Sequence, residues 1–187
     1  ETYQATVASE PTRPIVIFKM PAEDEAKWLT LKGVTMASDA VAATPYDAPW
    51  DYPMDKLGGT HPRTAGARGA TIRLGRENNI PMMQLMSILS YTAAKHMGDT
   101  GLKFMQERGR IQTGMVADIV VFDPELFTDN STYQQGAIPS TGMKAVIVNG
   151  QVTVRDDVLL PVFAGQPIRF EPEAKPRFEP ISVEEWN

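Results

Sequence analysis

Asp39, His61 and Arg63 are the residues whose types and positions could do chemistry in this chain. Asp39 follows the apolar run Val34–Ala37, which predicts a buried strand, with Ser38 between them. A carboxylate in that position costs free energy unless it is hydrogen-bonded, paired with a cation or bound to a metal. One interpretation is therefore a functional carboxylate. The other is a helix N-cap, a position at which Asp and Ser are favoured.

His61 and Arg63 lie in the segment GGTHPRTAG, on either side of Pro62. Because proline fixes its backbone and the flanking glycines allow tight turns, the imidazole and the guanidinium should point in adjacent directions. An ordinary polar turn would produce the same pattern. His96, the second histidine, ends a helical run beside Lys95, so we expect it to cap that helix or to lie on the surface.

The elements around Asp39 predict a parallel sheet. Ile15–Phe18 is an apolar, β-branched run, Pro21–Leu29 has proline and acids in its first turn as a helix does, and Val34–Ala37 follows Gly33. Strand, helix and strand in succession form a βαβ unit, which requires parallel strands and a right-handed crossover. Functional groups in such folds sit at the carboxyl ends of the strands, where Asp39 is expected.

Residues 43–70 are rich in Pro, Gly and Asp and show no sustained period, which predicts a long loop. Loops of this length usually serve a site, so the segment is a candidate lid or wall of the active site, with an ordered surface loop as the alternative. Helices are expected again from Thr71 to Met105. The methionines there, Met82 and Met86 among them, are expected to fill the core.

A small antiparallel unit is predicted after the helices. Ala117–Phe122 reads as a strand, and Met143–Val154 reads as two strands joined by Asn149 and Gly150. Asn-Gly is the strongest short signal for a β-hairpin. The α/β part is thus followed by a small sheet.

Composition excludes several classes of protein. The net charge of -5 at pH 7, with no cluster of Lys and Arg, excludes a nucleic-acid partner, and no apolar run is long enough for a membrane span. The absence of cysteine excludes disulfides and thiolate chemistry. Nucleophile-elbow, P-loop, dinucleotide-binding and HExxH patterns are missing. We expect a soluble chain, cytoplasmic or periplasmic. Because it begins at Glu1 instead of Met, we also expect a processed chain or a piece of a longer one.

Four motifs occur together in a familiar order. They are Ser38-Asp39, His61-Pro62-Arg63 with Gly66, the G-x-x-A-D-x-V-x-x-D run from Gly114 to Asp123, and the V-x-V-N-G hairpin from Val146 to Gly150. This series resembles the carboxyl-terminal portion of the amidohydrolase superfamily, and within it the N-acyl-D-amino-acid deacylase group. The resemblance covers about residues 14 to 170.

The resemblance implies an α/β fold that forms the carboxyl-terminal part of a TIM-like (β/α)8 barrel. Residues 14–106 would supply the last two strands and helices, with the loop 43–70 over the active site. Residues 107–165 would form part of a small β-sandwich. A leader, residues 1–13, and an extended tail, residues 166–187, would flank these portions.

The resemblance also implies a metal-dependent hydrolase of N-acyl-D-amino acids or related small acylated substrates. Asp39 would act as a proton shuttle on metal-activated water and would also touch the metal. Zinc lowers the pKa of bound water to about 7, so an ionised carboxylate suffices as the base. Arg63 would bind the free carboxylate of the substrate, a task that suits a planar guanidinium. His61 would position the loop that carries Arg63.

The superfamily's other metal ligands have no counterpart in this chain. One or two divalent metals, expected to be zinc, would therefore be held mostly by residues outside it. We expect an obligate partner, either the amino-terminal part of the same precursor or a separate chain, because two strands cannot close an eight-stranded barrel. A higher oligomer is compatible with this arrangement. The alternatives are a cyclic-amide hydrolase of the hydantoinase or dihydroorotase kind, and a non-catalytic scaffolding subunit.

Overall fold

The computed structural model describes residues 8–9, 21–40, 47–57, 61–172, 182 and 184. The predicted strand Ile15–Phe18 and most of the predicted leader lie outside these residues. The helices are α1 (Ala22–Trp28), α2 (Arg63–Glu77), α3 (Met82–Met86) and α4 (Thr92–Asp99), with a π-helical turn at Ser87–Tyr91 and single 3-10 turns at Met54–Lys56 and Lys103–Met105. The strands are β1 (Ile119–Phe122), β2 (Met143–Val148), β3 (Gln151–Arg155) and β4 (Val158–Leu159). In the described part of the chain, no helix combines the length and the apolar character needed to cross a bilayer.

The four strands form one antiparallel sheet in the order β1-β2-β3-β4. Asn149 and Gly150 connect β2 to β3 with φ angles of 47° and 78°. Positive φ at both central residues is what a two-residue type I′ hairpin requires, because its twist matches that of the strands. The predicted hairpin is confirmed.

The core lies where the helices meet the small sheet. Its buried side chains come from the end of α1, from α2, α3 and the residues between them, from the π-helical turn and from the chain beyond β1. They are Leu29, Ile72, Ile80, Leu85, Ile88 and Phe127. Met82 and Met86 pack against this cluster, so their predicted role as core residues is confirmed. Phe122 and Met143, which pair across β1 and β2, also contact it and join the sheet to the helices.

The prediction of a buried strand at Val34–Ala37 is wrong. Among the described residues this segment pairs with no strand, Val34 and Met36 are half-buried, and Thr35 and Ala37 are exposed. Its hydrogen bonds go instead to a helix: the N–H of Met36 and the hydroxyl of Thr35 both donate to the carbonyl oxygen of Ile88, at 3.3 and 2.9 Å. The parallel partner that the sequence predicted, Ile15–Phe18, lies outside the described residues.

This attachment is made at the π-helical turn. Within it Thr92 donates its N–H to the carbonyl of Ser87, five residues back. Such turns displace carbonyls from the ordinary α-helical ladder and are frequent at functional sites. The carbonyl of Ile88 lies in this turn and faces the segment that leads to Asp39.

The predicted loop 43–70 is also too long. α2 begins at Arg63, eight residues before the predicted return of helix at Thr71. The sequence is misleading here because Gly66 and Gly69 resemble loop residues. Both are buried within α2, and a Cβ at Gly69 would come within 2.6 Å of the backbone nitrogen of Asp129. These glycines serve a close approach between a helix and a neighbouring loop.

Candidate functional site

Asp39 and Arg63 form an ion pair across 24 positions of sequence. The Nη2 atom of Arg63 lies 3.2 Å from Oδ2 of Asp39, and the Asp39 side chain is 89% exposed. An ion pair this exposed adds about 0–1 kcal/mol to stability. The contact is therefore one that a competing anion can replace at little cost.

The backbone at Asp39 is unusual for a side chain of this type. Its φ is 47°, in the left-handed region. A residue that caps a helix N-terminus has extended backbone, so this conformation does not match the N-cap interpretation. The left-handed turn follows directly on the segment that Thr35 and Met36 attach to the π-helical turn.

Arg63 occupies the first position of α2. Its backbone N–H donates to Nδ1 of His61 at 3.1 Å. An imidazole nitrogen that accepts a hydrogen bond carries no proton, so neutral His61 bears its proton on Nε2. His61 thus satisfies a backbone donor at the start of the helix, and its side chain is tied to the residue that carries the guanidinium.

A loop beyond β1, residues 128–141, packs against the first turns of α2. The hydroxyl of Ser131 donates to the carbonyl of Pro62 at 2.7 Å, and that of Ser140 donates to the carbonyl of Ala65 at 3.1 Å. The ring of Tyr133 meets His61 edge to face, with centroids 5.1 Å apart and planes at 79°. We call residues 128–141 the platform loop.

A charged pair holds the platform loop to the middle of α2. Arg73 donates from Nε to Oδ1 of Asp129 at 2.7 Å and from Nη2 to Oδ2 at 3.2 Å, so the ion pair is bidentate. Burial raises the pKa of Asp129, but the hydrogen bond and charge of Arg73, with local hydrogen bonds, outweigh it and the pKa lies below its ordinary value. The same hydrogen bond raises the pKa of Arg73. Both groups are charged throughout the physiological range.

A pocket of about 600 Å³ opens beside Arg63 and His61. α1, α2 and the segment before Asp39 supply mainly apolar walls, whose residues include Trp28, Leu29, Val34, Met36, Ala67, Leu74 and Ile88. Asp129 and Ser131 of the platform loop reach the same space. The charged side chains of Glu25, Arg63 and Asp129 and the imidazole of His61 therefore border a largely apolar cavity, an arrangement typical of small-molecule sites.

The described residues do not complete a metal site. Among them, no three His, Cys, Asp or Glu side chains lie close enough together to hold an ion. Asp39, the predicted ligand, contacts the guanidinium of Arg63. His96 lies exposed in the last turn of α4. A structural or catalytic zinc needs three or four protein ligands, so most of them would have to come from outside the described residues.

The sequence indicated Asp39, His61 and Arg63, and the structure brings these three together. The sequence did not indicate Asp129, Ser131 and Tyr133 of the platform loop, which lie about seventy positions beyond His61 and Arg63. Their signal is weak, since the stretch TDNSTYQQ has the composition of any polar loop. Gly66 and Gly69, which are buried in α2 against the platform loop, were the one available hint that another segment approaches this helix.

Two curated proteins of Alcaligenes xylosoxydans xylosoxydans are similar to this chain. A D-aminoacylase is 26% identical over 151 residues, 81% of this chain and 28% of that protein. The chain resembles D-aminoacylases. An N-acyl-D-aspartate deacylase is 28% identical over 152 residues, 79% of this chain and 26% of that protein. The chain thus spans little more than a quarter of the length of either relative, and no model of a protein family matches it.

Solved structures of D-aminoacylase have the same fold over the matched part. One, of a D-aminoacylase with a binuclear metal center, superposes with a TM-score of 0.62 at 25% identity and covers 78% of this chain and 27% of its own. Another, a D-aminoacylase that defines a novel subset of amidohydrolases, gives 0.61 at 25% identity with the same coverage. The predicted resemblance to the deacylase group of the amidohydrolases is confirmed.

Proposed function

We propose that this chain is part of a metal-dependent amidohydrolase that hydrolyses the amide bond of N-acyl-D-amino acids. The D-aminoacylase and N-acyl-D-aspartate deacylase relatives support the substrate class. The observation that carries the proposal is the contact between Asp39 and Arg63 at the border of an apolar pocket. This contact supports carboxylate binding by Arg63 and proton transfer by Asp39, because it brings the guanidinium and the carboxylate side by side.

Arg63 binds the free carboxylate of the substrate. A guanidinium makes two parallel hydrogen bonds to a carboxylate, which fixes the orientation of the bound molecule. The substrate carboxylate then takes the place of Asp39, whose exposed contact with Arg63 is weak. Binding of the correct substrate therefore frees the Asp39 carboxylate.

Asp39 carries the proton during hydrolysis. An ionised carboxylate accepts a proton from the attacking water and returns it to the nitrogen of the leaving amine. The apolar walls of the pocket beside Arg63 would receive the apolar part of the acylated substrate.

The rest of the enzyme lies outside this chain in the proposal. Residues 14–106 would form the end of a TIM-like barrel and residues 107–165 part of a small β-sandwich, and the amino-terminal part of the same precursor or a separate chain would close the barrel. One or two divalent metals, zinc among them, would be held mostly by that part, because the described residues do not complete a metal site.

Replacement of Asp39 in the full-length protein tests the proposal. We expect Asp39→Asn to lower turnover of N-acyl-D-amino acids by at least about 100-fold, the typical contribution of a positioned acid or base. Asp99→Asn, which removes another exposed carboxylate in an ion pair, is the matched control and should keep normal turnover. Near-normal turnover of Asp39→Asn with metal retained would exclude the proton-transfer role.

A substrate panel separates the reaction classes. N-acyl-D-amino acids should be hydrolysed in preference to their L enantiomers and to hydantoins or dihydroorotate. Faster turnover of the cyclic amides would contradict the proposed substrate class and favour a cyclic-amide hydrolase. An assembled protein that binds no metal and hydrolyses none of them would favour a scaffolding role.

A further inference from the structure

We propose that Tyr133 is a positioning residue for substrate binding, because it holds His61 in the orientation that sets the start of α2 and the Arg63 guanidinium. The inference rests on the proposed role of Arg63 as the carboxylate-binding group. Tyr133 belongs to the platform loop, far from Arg63 in sequence. It acts through His61 and does not itself touch the substrate.

The first link is the contact between two rings. Tyr133 and His61 meet edge to face at 5.1 Å, with an angle of 79° between the ring planes. This geometry is the one that aromatic pairs prefer, because the positive edge of one ring faces the negative face of the other. It restricts rotation of the imidazole about its bond to Cβ.

The second link is the hydrogen bond from the N–H of Arg63 to Nδ1 of His61, at 3.1 Å. That bond exists only while the imidazole plane is directed at the backbone of Arg63 and Nδ1 is unprotonated. Since Tyr133 holds the plane, it also maintains the bond. Loss of the ring contact would let His61 turn away and release a backbone donor at the start of the helix.

The platform loop also holds the opposite side of the same peptide unit. Ser131, two positions before Tyr133, donates its hydroxyl to the carbonyl of Pro62 at 2.7 Å. The peptide between Pro62 and Arg63 is therefore fixed at its carbonyl by Ser131 and at its N–H by His61. The first restraint comes directly from Ser131 of the platform loop, and the second comes from the same loop through the contact of Tyr133 with His61.

Fixing this peptide matters for recognition of an anion. Two parallel hydrogen bonds from a guanidinium to a carboxylate demand a defined orientation of the arginine stem, so small displacements weaken binding steeply. Tyr133 is 46% exposed, and its replacement opens no void in the core. Its effect should thus appear in substrate binding more than in stability.

Kinetics of the full-length protein with Tyr133→Leu and Tyr133→Phe test this role. For N-acyl-D-amino acids, Tyr133→Leu should raise KM about tenfold with kcat within about twofold of normal, the pattern of lost uniform binding. For the corresponding primary amides neither constant should change. Tyr133→Phe keeps the ring contact, so its KM should stay well below that of Tyr133→Leu. The control Tyr91→Leu, which replaces an exposed tyrosine on the π-helical turn, should behave as the wild type. Equal losses on acids and amides, a fall in kcat, or no effect of Tyr133→Leu would overturn the proposal.

Nitrogen-15 NMR reports the tautomer of the His61 imidazole without requiring enzymatic activity. The signals of His61 are those that are absent from the spectrum of His61→Gln. The wild type and Tyr133→Phe should show the Nε2–H tautomer, and Tyr133→Leu should show a mixture of tautomers. An unchanged tautomer in Tyr133→Leu would overturn the proposal even if KM rises. A protein that hydrolyses no acylated amino acid would contradict the proposed function, and the NMR result would then decide alone whether Tyr133 orients His61.

Discussion

Arg73 and Asp129 join α2 to the platform loop through two hydrogen bonds of 2.7 and 3.2 Å. Arg73 lies in the same helix as Arg63, and Asp129 lies two positions before Ser131. The side chains are 33% and 19% exposed, so the pair is better shielded from water than the contact between Asp39 and Arg63. The pair of Arg73 and Asp129 therefore holds the platform loop against α2, whereas the contact between Asp39 and Arg63 can be replaced by another anion.

Asp129→Asn should lower the free energy of unfolding by about 1–3 kcal/mol at neutral pH, because it removes a charged acceptor and leaves Arg73 without its main partner. The pKa of Asp129 is lowered in the folded protein, so its contribution is complete above the pKa of an unfolded carboxyl group and is lost as pH falls through the folded pKa. The difference between wild type and variant should therefore be constant from neutral pH down to about pH 4 and shrink below it. Denaturant titrations across this range measure the difference.

Asp99→Asn, which removes the exposed partner of Lys95, is the control for that comparison and should change stability by less than about 1 kcal/mol. A difference between wild type and Asp129→Asn that grows on acidification would contradict the lowered pKa of Asp129.

Gly69→Ala tests the close approach of α2 to the platform loop. Alanine at an exposed helix position should stabilise a helix by about 1 kcal/mol relative to glycine. Here its Cβ would lie 2.6 Å from the backbone nitrogen of Asp129, so the loop must shift, and we expect a net loss of about 1–3 kcal/mol instead. Thermal melts detect the sign of the change. Gly165→Ala, at a site with open space around the added carbon, should be neutral, and stabilisation by Gly69→Ala would show that the two segments are not in contact.

Much of the small sheet could be predicted from local sequence. The Asn149-Gly150 pair has a backbone conformation that few other residues adopt, and it fixes the register of the strands on either side. The apolar face of α3 was equally readable, because its period is that of a helix against a core. In both cases the information lies within about ten residues.

The errors arose where distant segments decide the structure. Val34–Ala37 has the composition of a strand, yet its hydrogen bonds go to the carbonyl of Ile88, more than fifty positions away. Gly66 and Gly69 appeared as loop residues because nothing nearby in sequence shows what packs against them. The platform loop was missed for the same reason, since the partners of Ser131 and Tyr133 lie on another element.

The central claim is that Arg63 binds the substrate's free carboxylate, and the selectivity of Arg63→Ala between acids and amides tests it most directly. In the full-length protein, we expect Arg63→Ala to raise KM for N-acyl-D-amino acids by at least about tenfold, since hydrogen bonds between charged groups are lost. KM for the corresponding primary amides should change by less than about threefold. Arg68→Ala, which removes an exposed arginine from α2, is the matched control and should affect neither. Equal losses on acids and amides in Arg63→Ala would contradict the account.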